Sequence, residues 1–251
     1  MAVGRKRRAS DHRLSILLLS EDSGKHAHRV LEALSKKFLR LVHGQCQTQR
    51  VKFDPANDDA RVAMHANSWK SRDRRKLIIL ARIIAERIAM PHGFVFFHAD
   101  GDRVYSERAE SENRTKFHDR IVNAVRQQLL HSGRDSDEVE KLMERLLLLM
   151  PFYSIEAWLY QNIDLATRLC REHYNGRDLE RFAHWREHRS AIDELARPKD
   201  CVCLADKHNL ELASDRYPAQ PAYAAGTSLH DAVDALRACT SLVALLATTC
   251  H

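Results

Sequence analysis

Glycine and proline are sparse in this chain, 8 and 6 of 251 residues. Collagen-like and Gly/Pro-rich low-complexity architectures need far more of both and are excluded. Long apolar runs are missing too. The run from Leu146 to Ile155 covers about half of a membrane-crossing helix and contains Pro151, so no transmembrane segment is expected and a membrane is not an expected partner. The six cysteines, Cys46, Cys170, Cys201, Cys203, Cys239 and Cys250, carry no CxxC pair. A disulfide scaffold is therefore excluded, and free thiols in a reducing compartment are expected. Cys201-Val202-Cys203 with His208 supplies metal-ligand residue types, with a plain structural role as the alternative.

Acidic charge is in modest deficit. The 40 Lys plus Arg against 34 Asp plus Glu leave a formal charge of +6. With 44% hydrophobic and 29% charged residues, the chain is a core former, long enough for one large domain or two small ones. Gly4-Arg5-Lys6-Arg7-Arg8 before the apolar Leu14 to Leu19 superficially imitates a signal peptide. Ser20-Glu21-Asp22-Ser23 stands where a small-residue cleavage site would be, so a cytoplasmic location and a disordered basic leader over 1–13 are expected.

Beyond the leader, strands and helices alternate. LSILLL (Leu14 to Leu19) has strand length and no polar face, as a strand covered on both sides requires. Val30, Leu31, Leu34, Phe38 and Leu41 recur at helical spacing, which predicts a helix over about 25 to 42. Gln49 to Phe53 alternates and stops at Asp54-Pro55, as a strand near an edge would. Leu77, Leu80, Ile84 and Ile88 mark a helix over Ser71 to Met90, closed by Pro91-His92-Gly93. FVFFH (Phe94 to His98) is a third strand, followed by a helix from about Glu107 to Leu130. A further helix begins near Glu138, and a fourth strand within Leu146 to Ile155 ends near Glu156. The remainder reads as helices. The expected fold is α/β: a mostly parallel sheet of about four strands flanked by helices, with a core over 14–160 and a mainly helical region over 161–251 packed on it.

Ligands of such sheets sit beyond the carboxyl ends of the strands, so the acids there matter most. Glu21 follows the first strand, Asp100 and Asp102 the third, and Glu156 the fourth. Carboxylates that converge raise one another's pKa unless a cation neutralises them, and oxygen donors suit Mg²⁺ or Mn²⁺. Asp135-Ser136-Asp137 is an internal control, because no strand delivers it and a helix-capping turn explains it. Asp100 and Asp102 have the same bland alternative, a turn and a cap.

LSILLLSE (Leu14 to Glu21) and FVFFHADGD (Phe94 to Asp102) resemble the TOPRIM domain of topoisomerases, bacterial primases and OLD-type nucleases. The resemblance implies a TOPRIM-like, Rossmann-like sheet. It also implies Glu21 as general acid or base and metal ligand, with Asp100 and Asp102 holding Mg²⁺. MPFYSIEAWL (Met150 to Leu159) and ADKHNLELA (Ala205 to Ala213) resemble a narrower group of bacterial TOPRIM-like proteins considered beside ATPase partners in phage defence. That likeness adds Glu156 to the metal site and Lys207 as a phosphate-neutralising catalytic residue. The implied activity is metal-dependent phosphodiester cleavage by an anti-phage effector, with DNA or RNA as substrate, an ATPase as a possible partner protein and a homodimer as a possible state. The chain departs from the pattern at Asp22, where many relatives have glycine directly after the catalytic Glu, and in its shortage of glycine after Asp102.

Lys70, Arg72, Arg74, Arg75 and Lys76 form the densest internal basic run, beside Trp69. Phosphate backbones favour such runs and an aromatic can stack on a base; the alternative is a solvated helix start with Trp69 in the core. Two rival functions remain. FVFFHADGDRV also fits haloacid-dehalogenase-like phosphatases, with Asp100 as nucleophile. A non-catalytic TOPRIM-like subunit would instead use the acids structurally and could present Leu229, Val233, Leu236, Leu242, Val243 and Leu246 to an ATPase partner.

Overall fold

The computed structural model of the protein describes residues 14–22, 26–64, 69–70 and 73–249. The basic leader, Arg72 and Cys250 lie outside the described residues. Four strands, β1 (Leu14–Ser20), β2 (Val51–Pro55), β3 (Gly93–His98) and β4 (Leu146–Leu149), form one wholly parallel sheet in the order β2-β1-β3-β4. Pro55 is tolerated because β2 is an edge strand with a partner on one side only.

The connections explain the layering. Helix α1 (Ala27–Val42) carries β1 to β2. Helices α2 (Asp58–Met64) and α3 (Arg74–Ala89) carry β2 back past β1 to β3. Helix α4 (Glu112–Lys116) runs through a π-helical stretch, Phe117–Val122, into α5 (Asn123–His131), and α6 (Ser136–Met143) leads to β4. Alternate strand residues face opposite layers, as the pleat demands. Leu14, Ile16, Leu18, Phe94 and Phe96 pack with α1 and the C-terminal helices. Leu17, Leu19, Val95 and Phe97 pack with α2, α3, α5 and α6. Both faces of β1 and β3 are therefore dry, which is why their sequences carry no polar alternation.

The C-terminal part is helical: α7 (Glu156–Leu159), α8 (Ile163–Tyr174), α9 (Leu179–Glu187), α10 (Asn209–Ser214), α11 (Ala219–Ala224), α12 (Ser228–Ala238) and α13 (Thr240–Thr249). These helices share one apolar core with the sheet, since Leu169, Phe182, Leu212, Leu229, Leu236 and Leu246 join the strand residues. Trp158 is the pin. Its ring meets Phe38 edge-on at 5.3 Å, and its Nε1 donates to Ser228 Oγ at 2.8 Å. Residues of the apolar C-terminal stripe, Leu229, Val233, Leu236, Leu242 and Leu246, are buried in this core.

Two local expectations shift. The fourth strand ends at Leu149, and Glu156 opens α7 instead of closing a strand. Met150 to Ile155 leaves the sheet because Pro151 lacks the N–H that would continue the ladder, and its carbonyls bond the loop after β3 instead. The stretch from 107 begins with a 3-10 segment, Tyr105–Glu110, and the α-helix starts only after Ser111, whose side chain caps Arg114 N–H. Asp135 caps α6 by accepting from Glu138 N–H at 2.8 Å, as the control pair was expected to do.

Candidate active site

Strand order places the site. From β1 the chain departs toward β2, and from β3 it departs toward β4 on the other side. The loops after β1 and β3 therefore diverge and leave a crevice between adjacent strand ends, the position where open parallel sheets bind ligands. Glu21 N–H donates to His98 O at 3.1 Å, which keeps the two strand ends level.

The side chain of Glu21 turns across that crevice. Its carboxylate accepts the Asp100 N–H, and Oε1 accepts from Lys70 Nζ at 2.5 Å. The same ammonium stands 3.9 Å from Asp102 Oδ2. Among the described residues, the buried Glu21 Oε2 has no hydrogen-bond partner. Burial raises the Glu21 pKa, Lys70 works against that rise, and Asp102 adds to it. The oxygen that Lys70 leaves unsatisfied is therefore short of positive charge.

Asp100 and Asp102 sit on a tightly held loop. Asn113 Nδ2 donates to Asp100 O at 2.7 Å and to Asp102 Oδ2 at 2.6 Å, and Ser111 Oγ donates to Gly101 O at 2.7 Å. Asp102 adopts the left-handed backbone at φ +55°, a conformation that short polar residues tolerate. Asp102 N–H and Arg103 N–H bond the carbonyls of Tyr153 and Phe152 at 3.0 and 2.9 Å. In return Asp100 Oδ1 accepts from Ile155 N–H at 3.2 Å, bringing Glu156 beside it. A third of the Asp100 side chain reaches solvent at the cleft mouth. Burial raises its pKa well above the usual carboxylate range, and Glu156, Glu21, Asp102 and Asp22 raise it further. Five acids thus share one small region.

Behind them lies His98, fully buried and pushed down to about 4 by that burial. Its Nδ1 is 3.2 Å from Ser20 Oγ, and Nε2 is 3.7 Å from Asp100 Oδ1 without forming a hydrogen bond. The neutral ring supports the strand ends without adding positive charge.

In front of the acids opens a cleft of about 380 Å³, whose lining includes Glu21, Asp22, Asp100, Glu156, Arg197 and Lys199. An adjoining pocket of about 340 Å³ shares Asp22, Glu156 and Lys199 and adds His26 and Lys207. Lys207 thus lies beside the acid group, in the 3-10 turn Asp206–His208. Lys199 bonds Asp206 at 2.7 Å, which raises its pKa, and the Glu156 and Asp22 charges act in the same sense.

The structure brings Glu21, Asp100, Asp102 and Glu156 together but divides the basic run. Lys70, 12% exposed, is engaged with Glu21. Arg74 and Arg75 are exposed on the first turn of α3, and Lys76 lies 3.9 Å from Asp73, the helix cap. Trp69 is fully buried, edge-on to Phe97 at 5.3 Å, and is a core residue. Sequence reasoning missed Arg197 and Lys199, the counter-ion role of Lys70 and the Ser111–Asn113 clamp. Arg197-Pro198-Lys199 looks like a turn, and only the folding of the C-terminal part over the sheet edge reveals its position.

Oxygen-only donors and mutually repelling acids have the chemistry that a hard divalent cation takes, although among the described residues it is Cys170, Asp178 and Cys203 that bring three ligand atoms within 4.8 Å of one another, so the acids would have to draw closer around an ion. The fold and site together define a parallel α/β protein with carboxylates grouped at its switch point. No family model, no curated protein and no solved structure matches the chain.

Proposed function

We propose that this chain is a Mg²⁺- or Mn²⁺-dependent nuclease of TOPRIM type that cleaves DNA or RNA. The observation that carries the reading is the buried Glu21 oxygen, unpartnered among the described residues, beside an Asp100 carboxyl that four other acids push toward protonation. Glu21, Asp100, Asp102 and Glu156 would hold the ion. When bound, such an ion neutralises phosphoryl charge and steadies a leaving oxygen.

The chain's own residues divide the remaining work. Glu21, with its raised pKa, accepts a proton from attacking water. Lys70 keeps part of the acid charge balanced and fixes the Glu21 carboxylate in place. Lys199, which lines both the cleft and the adjoining pocket, and Lys207, which lines the pocket, would meet the phosphate, as fixed ammonium groups can without being metal ligands. Arg74 and Arg75 offer exposed positive charge for the flanking backbone. The phage-defence setting and an ATPase partner follow from the motif resemblance.

The test is cleavage of labelled RNA and DNA by purified protein with Mg²⁺, Mn²⁺ or chelator. Cleavage should need the metal and should disappear in Glu21→Gln and Asp100→Asn proteins whose circular dichroism is unchanged. Equal cleavage by wild type and both variants removes the proposal.

A further inference from the structure

The segment from 196 to 208 brings Arg197, Lys199 and Lys207 to the cleft, yet its only regular structure is two 3-10 turns, Pro198–Cys201 and Asp206–His208. Its anchorage lies between those turns. Cys203 Sγ is 3.2 Å from Cys170 Sγ on α8, and Cys203 N–H donates to Asp178 Oδ2 at 2.7 Å. Asp178 N–H closes the triangle, donating to Cys170 Sγ at 3.5 Å. The Cys170, Asp178 and Cys203 ligand atoms all lie within 4.8 Å of one another.

Backbone geometry builds this triangle. Helix α8 ends at Asn175 and Gly176, both left-handed at φ +54° and +68°. Gly176 N–H returns to Cys170 O at 3.0 Å. The reversal places Asp178 over the end of the helix it has just left. Cys203 then arrives from 33 positions downstream.

We propose that Cys170, Asp178 and Cys203 form a binding site for a borderline-soft divalent cation of the Zn²⁺ class. The proposal is independent of the nuclease reading and concerns a different ion. Two thiolates and one carboxylate are a donor set that Zn²⁺ accepts in tetrahedral geometry, with a fourth position for water, whereas Mg²⁺ avoids sulfur. With Zn–S bonds of about 2.3 Å, tetrahedral angles put the sulfurs about 3.7 Å apart. The present 3.2 Å separation therefore needs to open by roughly half an ångström. Binding converts two thiols to thiolates and releases two protons, leaving a dithiolate–carboxylate complex of net charge minus one. The amide bonds already directed at Cys170 Sγ and Asp178 Oδ2 would hold these ligands in orientation.

The grouping differs from the sequence-adjacent Cys201, Cys203 and His208. Cys201 Sγ faces Ala196 O at 3.7 Å, and His208 pairs with Tyr174 Oη at 3.1 Å while stacking on His173. A bound ion would fasten the segment bearing Arg197, Lys199 and Lys207 to the α8–α9 corner.

The experiment titrates the full chain, reduced and stripped with chelator, with Co²⁺ alone and then with Zn²⁺. One equivalent of Co²⁺ should produce a thiolate-to-metal charge-transfer band and tetrahedral d–d absorption that Zn²⁺ abolishes. Both should vanish in Cys170→Ser and Cys203→Ser, weaken in Asp178→Asn, and persist in Cys201→Ser and in Glu21→Gln. A readout without variants is alkylation of the wild type mapped by mass spectrometry. Zn²⁺ should slow labelling of Cys203 by an order of magnitude and leave Cys201 unchanged. Three results would each overturn the site: no charge-transfer band, a band that survives Cys203→Ser, or a Cys170–Cys203 disulfide in protein isolated under cytosol-like reducing conditions.

Discussion

Asp100 concentrates the conflict between stability and chemistry in one side chain. Burial and the charges of Glu156, Glu21, Asp102 and Asp22 all raise its pKa. A group whose folded-state pKa lies above its unfolded value favours folding fully below the unfolded value, and that contribution is lost as pH rises through the folded one. In metal-free protein, Asp100→Asn should therefore leave stability nearly unchanged below about pH 4 and raise it increasingly at higher pH. Asn keeps an oxygen for Ile155 N–H and carries no charge. A gain in stability is expected at neutral pH, tempered by solvent at the cleft mouth. Urea unfolding in chelator across pH checks this, and a destabilised Asn variant at pH 7 would refute the electrostatic account. At this scale the sequence was informative where a strand delivers an acid, as at Glu21, Asp100 and Asp102. It grouped Lys70 with the nucleic-acid-binding run and missed its pairing with Glu21, because a basic run looks the same whether its first member faces solvent or a buried carboxylate. Lys199 was equally hidden, since its neighbours Glu156 and Asp22 are distant in the chain.

Elements turn those residues into a site through the contact between the β3 loop and the segment after β4. Gly101 is where the two backbones come closest. A Cβ there would lie 2.3 Å from Phe152 O and 2.7 Å from Pro151 O, and neither backbone atom can swing aside. Gly101→Ala should push the segments apart and weaken the Asp102 and Arg103 N–H bonds to Tyr153 and Phe152. The expected cost is about 2–3 kcal/mol, in the range of overpacked sites. Gly44→Ala is the control, as open space surrounds that position. Chemical denaturation of both variants measures the difference, and similar midpoints would show that the loops separate freely. This contact also explains why the fourth strand was read too long. The apolar pattern of Leu146 to Ile155 is continuous, but after Leu149 it serves the loop contact and the start of α7 instead of the sheet. Helix cores and strands were legible from periodicity. The π-helical stretch Phe117–Val122 was not, because it preserves the apolar spacing while adding one residue to the turn.

For the whole molecule, strand order matters more than any single contact. Parallel pairing of β1 with both β2 and β3 puts Glu21 and the Asp pair on adjacent strand ends, although about eighty residues separate them in sequence. The 3-10 turns of the C-terminal part then add Lys199 and Lys207, while its helices complete the core beneath the sheet. The parallel sheet was readable from apolar strand runs and intervening helices. The way the C-terminal third returns to the sheet was not, since helical periodicity gives each buried face without its partner. Under the proposed function this architecture would join ligand binding to global folding, because the acids come from the end of β1, the loop after β3 and α7, and those elements meet only in the folded chain. A divalent ion held by them would bind the native state and not the unfolded one. At one hundred times its dissociation constant, Mg²⁺ should add about 2.7 kcal/mol, or roughly 5–10 °C in melting temperature for a chain of this size. Thermal unfolding with MgCl₂ against KCl at matched ionic strength separates specific binding from screening, which both salts provide. Asp102→Asn should lose most of the Mg²⁺-specific increment while melting close to wild type in KCl, because Asn can still occupy the left-handed position. An increment that is absent in wild type, or undiminished in that variant, would mean that the grouped acids do not form a cation site.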